Sequence, residues 1–364
     1  NTAVGYQALT AFTTATRMVA IGYESMHNVT TGEESIAIGY QAAYYNSGSN
    51  SVSIGSYAGM VNGAGSNVSI GFRAGSTSTG GSNTAIGASA IRYLNAGNEN
   101  TAIGNTAGSY LLGTQTTIVG SQAGRFASGS YNTFMGYKAG YGGTTSAPYS
   151  SGENNVALGT EALQGFTTGH SNVAVGKSAL GSLTTGDYTT AVGLAAGSNV
   201  TTGRFNTFYG YNAGGNSNAS HVVAIGYNVY GSGASNKSYG VYIGSNAGRY
   251  DTSGESTIAI GYNAVACDSG GGNNPSSCIG IGINALSGID GQARSNIGVG
   301  SSALSNLTTG EYNTALGDSV GSTLTTGDNN VIIGKGADVS AAAGTNQIVI
   351  GQGATGVGDN TAII

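Results

Sequence analysis

Tryptophan is absent, proline and cysteine occur twice each, histidine three times, and only 7% of the 364 residues are charged. So few His and Cys leave little material for a metal site or for a nucleophile with its base, so neither catalysis nor a cofactor is expected. There is no run of about 18 apolar residues, which excludes a transmembrane helix and so membrane insertion of this segment. Eleven Lys plus Arg against 16 Asp plus Glu give a formal charge of −5, spread thinly along the chain. No basic face able to neutralise a phosphate backbone is expected, and nucleic acid is not an anticipated partner. No leader-like segment opens the chain, which starts inside a recurring motif and is expected to be a section of something longer. In place of these the chain has 66 Gly, 22 Tyr and 39% hydrophobic residues, a content too apolar for a flexible Gly-rich linker.

The arrangement of those residues is periodic. A word of the type Asn-Thr-Ala-Ile-Gly, as at Asn83 to Gly87 and Asn100 to Gly104, recurs in 21 copies at spacings of 16 to 18, with two longer intervals. Short fixed periods of this kind mean a solenoid, in which each coil buries its apolar surface only by stacking on its neighbours. The expected fold is an all-β parallel β-solenoid of about 21 coils, one continuous array over residues 1–364, a rod on the order of 95 Å long at about 4.8 Å per coil. Counting from the Gly that ends each word, the residue three before it is Thr, Val or Ile in every copy, and the residue one before it is aliphatic in all but Tyr209. This pair shares a strand face and is assigned to the interior. Ala stands three residues after the Gly in 18 copies and is taken to mark a second short strand in each coil. A further Gly often lies seven residues before the strand Gly, as at Gly32, Gly169, Gly203, Gly310 and Gly327, and a positive φ is expected there. The Asn that opens the word in 11 copies is expected to stack into a ladder at a corner.

The middle residue of the word is Ala or Ser in 13 copies, with Phe134, Phe208 and Ile118 among the departures. On the inward assignment of its neighbours it faces away from the core. A narrow apolar strip running along the solenoid is too large to leave wet, so Ala85, Ala102, Phe134, Ala174, Ala191 and Phe208 are expected to form an interchain strip about which three parallel coils pack.

The words Ser35-Ile36-Ala37-Ile38-Gly39 and Asn172-Val173-Ala174-Val175-Gly176 resemble the head repeat of trimeric autotransporter adhesins. The unit Thr309-Gly310-Glu311-Tyr312-Asn313-Thr314-Ala315-Leu316-Gly317 is similar to repeats in bacteriophage tail-fibre proteins. The resemblance covers almost the whole chain and implies a left-handed β-roll, a homotrimeric fibre, an extracellular place on a virion or cell surface, and a glycan or cell-surface receptor as partner. The period here is longer than the adhesin head repeat, and no stalk heptads are visible.

The two long intervals form excursions at 141–151 and 264–276, which contain both prolines. Loops leaving a rigid scaffold are where binding residues sit, so Tyr141 and Tyr149 are candidate receptor contacts, with tolerated surface drift as the alternative. Cys267 and Cys278, eleven positions apart, are read as a disulfide stapling the second excursion, with buried thiols as the alternative. Carboxylates just after the turn Gly, such as Glu33, Asp187, Glu311 and Asp328, serve solubility rather than calcium binding. Tyr follows the strand Gly in seven copies, a row that can dock sugars on its ring faces or cover the solenoid's edge. The function expected is a non-enzymatic attachment fibre. An extracellular filament joined end to end is the alternative, with ice-binding and polysaccharide-degrading solenoids less favoured.

Overall fold

The computed structural model describes residues 1–61, 63–93, 97–215, 218–230, 239–249, 256–267, 276–289 and 293–364. They form two compact units, Asn1–Asp187 and Tyr188–Ile364. The first contains eleven strands, from β1 (Thr2–Val4) to β11 (Val173–Val175), and the second eleven more, from β12 (Thr190–Val192) to β22 (Ala362–Ile363). Within each unit every strand pairs in parallel with the next in chain order, at the same phase of the repeat. Thr84, Ala85 and Ile86 lie against Thr101, Ala102 and Ile103 in one unit, and Ile297, Gly298 and Val299 against Thr314, Ala315 and Leu316 in the other. Both units are thus parallel β-solenoids, and no helix occurs among the described residues.

Among the described residues each coil shows one strand rather than two. Around the Ala that was expected to mark a second strand, the second and fourth residues after the strand Gly are left-handed, as at Ser178 (φ 56°) and Leu180 (φ 50°). The backbone there still ladders between coils, Leu163 N–H donating to Ala179 O at 2.9 Å. The requirement for glycine also lies elsewhere than expected. Of the turn glycines, Gly32 has a positive φ (112°), whereas Gly169, Gly203, Gly310 and Gly327 do not. At Gly310 a Cβ would strike the Gly327 carbonyl, so close stacking demands Gly there. The positive φ belongs to the strand Gly in all 21 copies, from 125° at Gly55 to 146° at Gly317. A Cβ on Gly104 would also stand 2.5 Å from Gly120 O, so two independent constraints select glycine at this position.

The strand faces are the reverse of the sequence assignment. The middle residue points into the coil: Ala102, Phe134, Ala174, Ala191 and Phe208 are 0% exposed and Ala85 2%. The flanking residues point out, Ile21, Ile103, Leu316 and Tyr209 among them being exposed. The candidate interchain strip is therefore core. The reason is space: a coil this narrow admits one side chain per three-residue strand, and a β-branched pair pointing inward would overfill it. Volume is balanced within a coil and between neighbouring coils. Where the middle residue is large, as Phe134, Phe208 or Tyr242, a Cβ on the Gly four after the strand Gly (Gly140, Gly214, Gly248) would enter its ring. Where the middle residue is Gly298, Leu286 from the preceding coil fills the space, 3.1 Å from where a Cβ would be.

The Asn ladder forms as expected. Asn296 Oδ1 accepts from Asn313 N–H at 2.9 Å, and Asn313 Oδ1 from Asn330 N–H at 3.0 Å. Their Nδ2 groups donate to turn-glycine carbonyls of the next coil, Asn313 to Gly327 O at 2.9 Å and Asn330 to Gly344 O at 2.7 Å. Each amide thus satisfies buried backbone groups that no strand partner reaches. Asn313→Ala leaves an orphan N–H and an orphan carbonyl, with an expected loss of about 1–3 kcal/mol read as a lower denaturation midpoint; an unchanged midpoint would show the amide to be dispensable.

Candidate functional site

Two surfaces of the solenoid are chemically distinctive. The first is the outer strand wall. In both units its two rows consist of Thr, Val and Ile on one side and mainly aliphatic residues on the other, without a charge. Ile36, Ile38, Ile54, Ile103 and Met135 are exposed along it in the first unit, and Ile281, Leu316 and Ile348 in the second. Beside it, Tyr6, Tyr23 and Tyr40 stack with centroids 5.1 and 5.3 Å apart. Loss of water among the rings, followed by the Glu24 charge for Tyr23 and by Tyr57 for Tyr40, raises both phenols above their ordinary value.

The second surface is an aromatic edge in the first unit. Tyr93 stacks on Tyr110 at 5.0 Å and Tyr110 on Phe126 at 5.2 Å. The first excursion folds back onto this column. Tyr149 packs 4.8 Å from Tyr110, and Tyr141 meets Phe126 edge-on at 5.1 Å, both half-buried, while residues 145–148 at the tip are exposed. The two candidate receptor contacts are thereby brought together with groups that sequence reading did not single out. Arg73 lies 5.0 Å from the Phe72 ring, Arg92 4.7 Å from Tyr93, Arg125 5.0 Å from Phe126, and Lys138 5.6 Å from Tyr141. All four cations are half-buried on ring faces. A cavity of about 240 Å³ opens between adjacent coils at Arg73 and Arg92, with Tyr57 and Tyr93 among its walls. The expectation of a thinly spread charge fails here. Residues 35–152 carry four cations and a single carboxylate, Glu99, an imbalance that the overall −5 conceals.

Other candidates disperse. Cys267 and Cys278 are buried thiols and no bridge joins them. Cys278 occupies the ladder position of Asn, its Sγ 3.7 Å from Ala293 O, whereas Cys267 Sγ lies 3.8 Å from Val265 O at another phase of the coil. The rest of that excursion, residues 268–275, lies outside the described residues. The turn carboxylates act between coils. Asp187 Oδ1 accepts from His170 N–H at 3.0 Å, Asp328 Oδ1 from Glu311 N–H at 2.7 Å, and Glu33 pairs with Arg17 at 2.8 Å. Among the described residues no group of three His, Cys, Asp or Glu could hold a metal ion, and no helix is long and apolar enough to cross a membrane. No family model matches the chain, and no curated protein matches it.

Proposed function

We propose that this chain is a non-enzymatic segment of an extracellular attachment fibre, a phage tail fibre or a surface adhesin, in which three parallel copies associate through the outer strand wall. The observation that carries the reading is that uncharged wall, repeated coil after coil within each unit. An exposed apolar surface of that extent calls for a cover. A second copy in parallel meets it at the same repeat, so every contact made by one coil recurs at the next. The association proposed from the middle residues is thus transferred to their neighbours on the strand. Mechanically, the stacked backbone would set reach, and repetition would multiply weak surface contacts into avidity.

The Thr row, assigned to the interior from sequence, points outward, as an ice-binding face would require. The composition of that row argues against such a face: Thr fills eight of the 21 copies, in a longest run of four at 84, 101, 117 and 133, and Val or Ile fill the rest.

Sedimentation equilibrium tests the proposal. Three chains of 35.7 kDa give about 107 kDa. A mass near that of one chain removes the trimer, and very large polymers favour end-to-end filaments.

A further inference from the structure

Among the described residues, the cations of the aromatic edge have no carboxylate partner, although they are half-buried. Elsewhere Arg17 pairs with Glu33 and Glu34, His170 lies 3.4 Å from Asp187, and Arg294 meets Glu311 at 3.8 Å. None of these pairs involves Arg73, Arg92, Arg125 or Lys138. Arg125 Nε is in addition buried with no hydrogen-bond partner, a donor left without an acceptor. Two guanidinium groups line one cavity with no counter-charge between them, an arrangement that repels until an anion enters.

The site is held in place. Arg92 O accepts from Thr77 Oγ1 at 2.7 Å, from Thr77 N–H at 3.2 Å and from Ser76 Oγ at 3.3 Å, which fixes the Arg92 backbone to the coil before it. Ring faces at Tyr57 and Tyr93 hold the two guanidinium groups from below. The aromatic column then runs through Tyr110 and Phe126 to the second pair of cations, Arg125 and Lys138.

We propose that this edge of the first unit, from the Arg73–Arg92 cavity along the Tyr93–Tyr110–Phe126 column to Arg125 and Lys138, binds an acidic saccharide, a chain of sugar rings bearing carboxylate or sulfate groups. Guanidinium forks match the planar geometry of such anions and bind them bidentately. The exposed Tyr93 ring and the half-buried Tyr110 beside it offer apolar surface to a sugar ring, their hydroxyls can orient its polar rim, and the buried Phe126 supports the column from beneath. Nucleic acid fits less well. A duplex is gripped through roughly six to ten phosphates, and four cations on a chain of charge −5 do not supply them.

The site gives a ligand class to the attachment reading and rests on it for its biological sense, but its test is independent of assembly. Isothermal titration at low salt is run with three probes: tetragalacturonate, its full methyl ester, and a sulfated disaccharide. The acid, the sulfated sugar or both are expected to bind, and which of them does identifies the anion; the ester is expected to bind at least tenfold more weakly than the acid. The double variant Arg73→Gln/Arg92→Gln should lose at least tenfold in affinity with an unchanged circular-dichroism spectrum, while Lys335→Gln, exposed in the second unit, binds as the parent does. Equal binding of acid and ester, full affinity in the double variant, no binding of either acidic probe, or tighter binding of a short single-stranded oligonucleotide would each overturn the proposal. A chain that binds the acid yet sediments as one copy keeps this site and loses the fibre; a trimer that binds neither acidic sugar does the reverse.

Discussion

Glutamate in place of Ala174 is expected to unfold the coils around it, not to open an interface. Ala174 is 0% exposed at the centre of its strand, in register with Ala157 on the coil before. A carboxylate there has neither water nor a cation, and the cost of an unpaired buried charge is on the order of 3–5 kcal/mol, beyond which the group protonates or the coil opens. Solenoid stability is a sum over neighbouring coils, so an opened coil also removes the template for the strands on either side. Ala191→Glu should behave in the same way. Urea denaturation followed by circular dichroism reads the effect as a lower midpoint or as a first transition absent from the parent. Parent-like unfolding of both variants would place these side chains outside the core.

The volume exchange inside the coil predicts a rescue. Phe208→Ala empties the space of a buried ring at an expected cost of about 3–5 kcal/mol. Gly214→Leu alone is also destabilising, because a Cβ at Gly214 runs into the Phe208 ring. Together the two should recover a large share of the loss. The backbone accepts the change, since φ at Gly214 is 64° and Leu163, Leu180 and Leu304 hold 51°, 50° and 51° at the same position of their coils. A double-mutant cycle on unfolding free energy measures the coupling, expected to be favourable by more than 1 kcal/mol. Additive losses would mean that the two sites do not share one space.

That exchange is also the signal that sequence reading passed over. The solenoid, its strand at the repeated word and its Asn ladder follow from spacing, because a period of 16 to 18 with an invariant Gly and a recurrent Asn is met by stacking at a constant phase. Alternation along a three-residue strand, however, separates two faces without saying which is inside. The sign lies in volume. Phe134 is followed by Gly140, Phe208 by Gly214 and Tyr242 by Gly248, while Val265 and Leu286 of the coil before fill the spaces at Gly280 and Gly298, a trade that only side chains sharing an interior need to make. Cys278 was legible in the same way: it stands where other coils place the ladder Asn, so its sulfur turns toward a turn carbonyl instead of toward Cys267. The basic edge was hidden by averaging. Arg73, Arg92, Arg125 and Lys138 are scattered in sequence, and only the coil brings Arg92, Arg125 and Lys138 along one run of rings and sets Arg73 across a cavity from Arg92.

Of all available measurements, sedimentation equilibrium of a neighbouring pair of variants tests the inside-out assignment most directly. Ala102, fully buried, and Ile103, exposed, are adjacent on one strand, and each receives the same substitution, glutamate. Ile103→Glu should stay folded and shift from about 107 kDa toward the 35.7 kDa of a single chain, whereas Ala102→Glu should lose its β-structure. An Ala102→Glu protein that folds and dissociates cleanly, beside an Ile103→Glu protein that unfolds, would contradict the account at its root.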